Sequence, residues 1–106
     1  MSNQNIVLFE NRQVRRYYDG ENEIWYFSIV DIVEALTESV NPTDYLKKLR
    51  KRDGELGAYL GTNCPQVEML SNGKKRKTLV GTAKDIFRLI QSIPSPKAET
   101  EKVKDN

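Results

Sequence analysis

The change from strand to helix that decides the fold lies in residues 24–36, IWYFSIVDIVEAL. Its first four residues are aromatic or β-branched, which is typical of a strand, and the last nine place apolar side chains at helical spacing. Ser28 stands at the junction with Asp31 three residues later, in the pattern of a capping box. The stretch therefore predicts a strand that runs directly into a helix. The apolar face of that helix is formed by Ile29, Ile32, Val33 and Leu36.

Two more strands are predicted upstream of this stretch. Residues 6–9 form a short apolar run, and residues 14–18 alternate their side chains between two faces. A polar break separates these two runs, and the turn-forming residues 19–22 separate the second run from the strand that begins at Ile24. The pattern indicates an antiparallel meander.

Two helices are predicted downstream, each from a capping signal. Asn41 and Pro42 begin a helix that runs to about Arg52. Thr82 begins another, which ends before the proline-rich residues 94–96. The intervening residues 55–63 are rich in glycine and are predicted to be irregular.

A hairpin is predicted between the last two helices. Its strands cover residues 65–70 and 78–81, and Asn72-Gly73 in the connection is a strong hairpin signal. The connection is expected to be a long loop over residues 71–77.

These elements predict an α+β fold in which small antiparallel sheets, the meander and the hairpin, pack with three helices. A single domain over residues 5–96 is expected, followed by a charged tail at 97–106. The predicted core consists of Phe9, Trp25, Phe27, Ile29, Val33, Leu36, Leu46, Leu49, Val67, Leu70, Leu79, Phe87 and Ile90.

Composition excludes several classes of function. The chain has 106 residues, one cysteine and no histidine, so a disulfide framework, a Cys/His zinc site and histidine-based catalysis are ruled out. Asp31, Glu34 and Glu38 are interpreted as a solvated helix face and Cys64 as a small, partly buried side chain. No enzyme activity, cofactor or metal is expected.

The polar N-terminus does not resemble a signal peptide, and no apolar run is long enough for a membrane span, which favours a cytoplasmic protein.

Charge is distributed unevenly along the chain. The net charge is only +2, yet residues 1–44 carry −5 and residues 45–81 carry +6. The middle third holds five cations within residues 47–52 and four more within 74–77. Two such clusters flanking a small sheet indicate a surface that binds a polyanion, provided that they converge in space. The predicted nucleic-acid-binding residues are Lys47, Lys48, Arg50, Lys51, Arg52, Lys74, Lys75, Arg76, Lys77, Arg15 and Arg16.

The first two helices have the layout of a helix-turn-helix, whose second helix enters the major groove. On that layout the candidates for base contacts are Thr43, Asp44, Lys47, Lys48 and Lys51, with the other cations on phosphates. The alternative is a protein-interaction module that binds a repressor. It would use the acidic face of the first helix or the aromatic residues Tyr17, Tyr18 and Tyr26.

The order of these motifs is similar to that of the Bro-N domain, found in baculovirus BRO proteins and prophage antirepressors. The resemblance covers about residues 8–99 and rests mainly on residues 25–36, 44–53 and 82–90. It implies a DNA-binding module, with duplex DNA as its partner, that lies N-terminal to a variable second domain. The family usually continues with an aromatic residue and a Trp-Leu segment. Residues 100–106 contain neither, so they are expected to be a tail or linker to a domain absent from this chain.

Overall fold

The computed structural model describes residues 6–9 and 12–94, with side chains from Phe9 onward. The predictions made for residues 1–5 and 95–106, including the charged tail, lie outside the described residues. The elements are β1 (Ile6–Phe9), β2 (Arg12–Asp19), β3 (Ile24–Ser28), α1 (Ile29–Thr37), α2 (Pro42–Arg52), α3 (Gly54–Asn63), β4 (Gln66–Ser71), β5 (Lys74–Gly81) and α4 (Ala83–Ser92).

The five strands form one antiparallel sheet in the order β1-β2-β3-β5-β4. The meander and the hairpin, predicted as small sheets, are joined because Phe27 pairs with Gly81 and Ser28 with Val80. The α+β class is confirmed. This junction places β5 between β3 and β4 and leaves β4 as an edge strand.

Capping side chains begin three helices where the sequence predicts them. Ser28 Oγ accepts the backbone N–H of Asp31, and Asn41 Oδ1 accepts that of Asp44. Thr82 and Asp85 form a reciprocal capping box at the start of α4. These bonds satisfy backbone donors that the first turn of a helix leaves unpaired.

The prediction of an irregular segment at residues 55–63 is wrong, because this segment is helix α3, a fourth helix. Asp53 ends α2 and begins α3, with its Oδ1 accepting the backbone N–H of Leu56 at 3.1 Å. Leu56 and Leu60 are fully buried. Their burial stabilises a helix that its glycine content alone would disfavour.

The predicted long loop at residues 71–77 is also wrong. β4 continues to Ser71 and β5 begins at Lys74, so the turn is only Asn72-Gly73. Both residues have positive φ, 54° and 81°, as a two-residue type I′ turn requires. The four cations at 74–77 therefore lie on a strand, and their side chains alternate between its two faces.

The core lies where α1, α2, α3 and α4 meet the inner face of the sheet. Two predicted core residues are instead exposed: Leu70 near the hairpin turn and Phe87 on the outer side of α4, at 63% and 56%. Leu56, Leu60, Leu89 and Ile93, which the predicted core omits, are fully buried. Among the described residues, no helix has the length and apolar character required to cross a membrane.

Candidate nucleic-acid interface

A groove of about 750 Å³ lies between α2, the first half of α3 and the β4–β5 hairpin. Six cations line it and no aspartate or glutamate does, among the residues that the structure describes. We call it the cationic groove. Its cations are Arg15, Lys47, Arg50, Lys51, Arg76 and Lys77. The two basic clusters of the sequence thus converge in part on one concave surface.

One wall of the groove is a single face of α2. Thr43, Lys47 and Lys51 recur at intervals of four residues, which places their side chains in a row along that helix. Arg50 also lines the groove and is only part exposed, with Nη2 donating to the carbonyl of Gly57 in α3 at 3.4 Å. This bond joins the two helices at the groove floor.

The opposite wall is the β4–β5 hairpin. Arg76 and Lys77 supply its charge and both are exposed. Gln66 and Ser71 from β4 add uncharged polar groups to the same wall. Thr78 anchors this region, because its side chain is buried and its hydroxyl donates to the carbonyl of Arg76.

Arg15 also lines the groove and is itself held by a carboxylate. Its Nε and Nη2 donate to the two oxygens of Asp31 at 2.8 and 2.9 Å, and its Nη1 donates to the carbonyl of Leu70 at 2.8 Å. The hydrogen bonds with Asp31 raise the pKa of the Arg15 guanidinium above its ordinary value. Arg15 therefore holds β2, α1 and the hairpin together and adds little net charge to the groove.

The other predicted site residues do not line the groove. On α2, Lys48 pairs with Asp44 at 3.2 Å, and Arg52 is exposed outside the groove. Lys74 and Lys75 lie beside the hairpin turn. Arg16 belongs to the opposite face of β2 from Arg15, and its guanidinium lies 3.9 Å from the centre of the Trp25 ring.

The remaining five groove cations carry uncompensated charge. Within the described part of the chain, none of them forms an ion pair with a carboxylate. Glu68 lies opposite Lys77 in the β4–β5 ladder, but no ion pair joins the two side chains. Like charges facing one surface repel each other unless an anion is bound between them. The arrangement therefore favours an anionic ligand.

Sequence reasoning missed the floor of the groove. Gly54, Gly57 and Ala58 of α3 form it, and their small side chains leave the space open. The only signal in the sequence was the spacing of the glycines, which indicated turns rather than a helix. Gly57 packs closely against α2, since a Cβ atom there would lie 2.9 Å from the carbonyl oxygen of Arg50.

The surfaces named for the protein-interaction alternative are already partly occupied. In α1, Asp31 binds Arg15, and Glu34 lies 4.0 Å from Arg12.

Within the described residues, no group of three or more acidic or cysteine side chains could hold a metal ion. A smaller apolar groove of about 280 Å³ lies elsewhere, beside the exposed Phe87 of α4.

Comparison with protein-family models, with curated proteins and with solved structures finds no significant match to this chain. The function is therefore argued from the geometry of the site.

Proposed function

We propose that the protein is a nucleic-acid-binding regulatory module that docks the phosphate backbone of duplex DNA in the cationic groove. The observation that carries the proposal is the convergence of Lys47, Lys51, Arg76 and Lys77, from two distant parts of the chain, on a surface to which no described residue contributes a carboxylate. A DNA-binding role is also what the likeness to the N-terminal domain of prophage antirepressors implies.

The physical reason is counterion release. A protein that neutralises phosphates with Lys and Arg displaces the cations condensed on DNA, so its affinity falls as salt is added. Five unpaired groove cations predict a slope of about −4.5 for log affinity against log salt on B-form DNA. This slope would reveal how many of the groove cations contact phosphate.

The uncharged polar groups of the groove have a separate role in the proposal. Thr43 on α2 and Gln66 and Ser71 on β4 can donate and accept hydrogen bonds, whereas the lysines only donate. Phosphate contacts position a protein on nucleic acid, and such neutral groups are suited to sugar or base edges. In this proposal, these neutral side chains of the groove walls distinguish one DNA sequence from another.

The test compares two double variants of one helix. Lys47→Ala/Lys51→Ala removes two groove cations, and Lys48→Ala/Arg52→Ala removes two cations of α2 outside it, so the change in net charge is identical. Binding to a fluorescent DNA duplex is measured at several salt concentrations. We expect the groove variant to weaken binding and to flatten the slope by about two, since each phosphate contact contributes about one. The outer variant should leave the slope nearly unchanged.

Two outcomes contradict the proposal. If wild-type affinity does not change with salt, phosphate docking is wrong. If both double variants lose the same affinity and slope, the groove has no special role. A protein that remains bound after nuclease treatment, and is released by Lys47→Ala/Lys51→Ala, would instead favour an acidic protein partner in the same groove.

A further inference from the structure

Two tyrosines form an exposed, loosely packed pair on the β2–β3 ribbon. Tyr17 and Tyr26 lie directly opposite each other in the ladder. Their ring centres are 6.4 Å apart with a 37° angle between the rings, near the outer limit for aromatic contact. Tyr17 is 42% exposed and Tyr26 is partly exposed. The ring of Tyr17 therefore offers aromatic surface to solvent.

This pair continues the surface that Arg15 begins. Side chains two residues apart on a strand share a face, so Tyr17 lies on the same face of β2 as Arg15, about 6.6 Å further along. Arg15 lines the cationic groove. Tyr17 is therefore the next side chain beyond Arg15 on that face of β2.

We propose that Tyr17, supported by Tyr26, stacks on an unpaired nucleobase of the strand whose phosphates occupy the cationic groove. This inference rests on the proposed function and adds a second binding site to it. A charged groove that follows the backbone, next to an aromatic ring that receives a base, is the combination by which proteins hold unpaired nucleotides. Bases within a continuous duplex stack cannot use such a ring, so the bound nucleic acid presents at least one unstacked base at this end.

The aromatic residues on the opposite face of the same ribbon differ from Tyr17 and Tyr26 in being closely packed. There Tyr18 packs on Trp25, with ring centres 5.0 Å apart, and the Arg16 guanidinium lies over the Trp25 ring. Those aromatic groups already have close partners within the protein. Tyr18 is as exposed as Tyr17, at 44%, but it lies on the other face of β2. It is therefore a matched control at the adjacent position.

The experiment separates the base from the backbone. Two fluorescent single strands of about 12 nucleotides, a length within the usual site sizes, are used: oligothymidine and an abasic strand of the same charge. We expect Tyr17→Ala to weaken binding of oligothymidine by about fivefold or more and to leave the abasic strand unaffected. Tyr18→Ala should change neither by more than about twofold. Tyr17→Leu, which keeps apolar bulk on the strand, should behave like Tyr17→Ala, and Tyr17→Phe should bind like the wild type.

Each outcome decides the inference. Equal weakening of both strands by Tyr17→Ala, or equal effects of the Tyr17 and Tyr18 variants, would overturn the stacking site. In both cases the groove variant Lys47→Ala/Lys51→Ala would still weaken binding of duplex DNA, so the proposed function would stand. If the wild type binds neither strand nor duplex DNA, both proposals are wrong.

Discussion

Replacing Arg15 by alanine should destabilise the domain far more than loss of an ordinary surface cation. The substitution removes two charge-assisted hydrogen bonds to Asp31 and the bond from Nη1 to the carbonyl of Leu70. It also removes a weaker contact of 3.3 Å to the hydroxyl of Ser28. Asp31 would keep only the backbone N–H of residue 15 at 2.9 Å. A largely buried carboxylate would then lack its charged partner.

The magnitude follows from the geometry and the exposure of the pair. Removing one partner of a fully buried ion pair costs about 3–5 kcal/mol. Here the side chain of Arg15 is 26% exposed and that of Asp31 is 13% exposed, so water offsets part of the loss. We expect a loss of about 2–3 kcal/mol in the free energy of unfolding, since hydrogen bonds to charged groups contribute about 1.5–3 kcal/mol each and are not additive. In a domain of this size that corresponds to a decrease in Tm of about 10–20 °C.

Urea and thermal denaturation followed by circular dichroism measure this change. The control is Lys48→Ala, which breaks the exposed pair with Asp44 and should cost no more than about 0.5 kcal/mol. Arg15→Lys should recover only part of the loss, because an ammonium cannot make the paired contact with both carboxylate oxygens. If Arg15→Ala is as stable as Lys48→Ala, Arg15 does not hold the hairpin and the argument for its anchoring role is wrong.

Two further predictions concern stability and reactivity. Gly57→Ala should destabilise the domain by about 1–3 kcal/mol, because the new Cβ would meet the backbone of Arg50 at 2.9 Å. Gly54→Ala meets nothing within 4 Å and should stabilise it by about 0.4–1 kcal/mol; urea denaturation of the two variants should therefore shift in opposite directions. Burial raises the pKa of the Cys64 thiol to about 12, so the thiol stays protonated at pH 8 and should react with a disulfide reagent only after unfolding. Rapid labelling of the folded protein would contradict this.

Local capping chemistry was predictable from the sequence because its partners are three residues apart. Ser28, Asn41 and Thr82 each accept the backbone N–H three residues later, where the pattern places it. The partner of the Asp31 carboxylate could not be predicted in the same way, because it is distant in sequence. The carboxylate binds Arg15 instead of the backbone of Ser28, and this contact requires β2 to lie beside α1.

The errors lie where tertiary contacts outweigh local preference. Residues 54–63 carry three glycines, yet they form α3 because Leu56 and Leu60 are buried and Gly57 permits close packing on α2. The basic run 74–77 has the composition of a loop. It is a strand because the two-residue turn at Asn72-Gly73 sets the register of β4 and β5. In both cases the deciding contact is with a partner outside the segment, the core and α2 for α3 and strand β4 for β5.

These two errors also explain why the candidate site could be predicted only in part. A flexible loop could have brought all four cations of residues 74–77 to one surface, whereas strand β5 holds each of them at a fixed position along the hairpin, with Lys74 and Lys75 nearest the turn. Arg76 and Lys77 reach the groove, and Lys74 and Lys75 do not. On α2 the helical repeat likewise decides which cations line the groove. Lys47 and Lys51 line it, whereas Lys48 lies outside it and pairs with Asp44. The near-neutral total charge is therefore no guide to the ligand. What favours a polyanion is that the fold binds two carboxylates to Arg15 and Lys48 and leaves the other five groove cations without a carboxylate partner among the described residues.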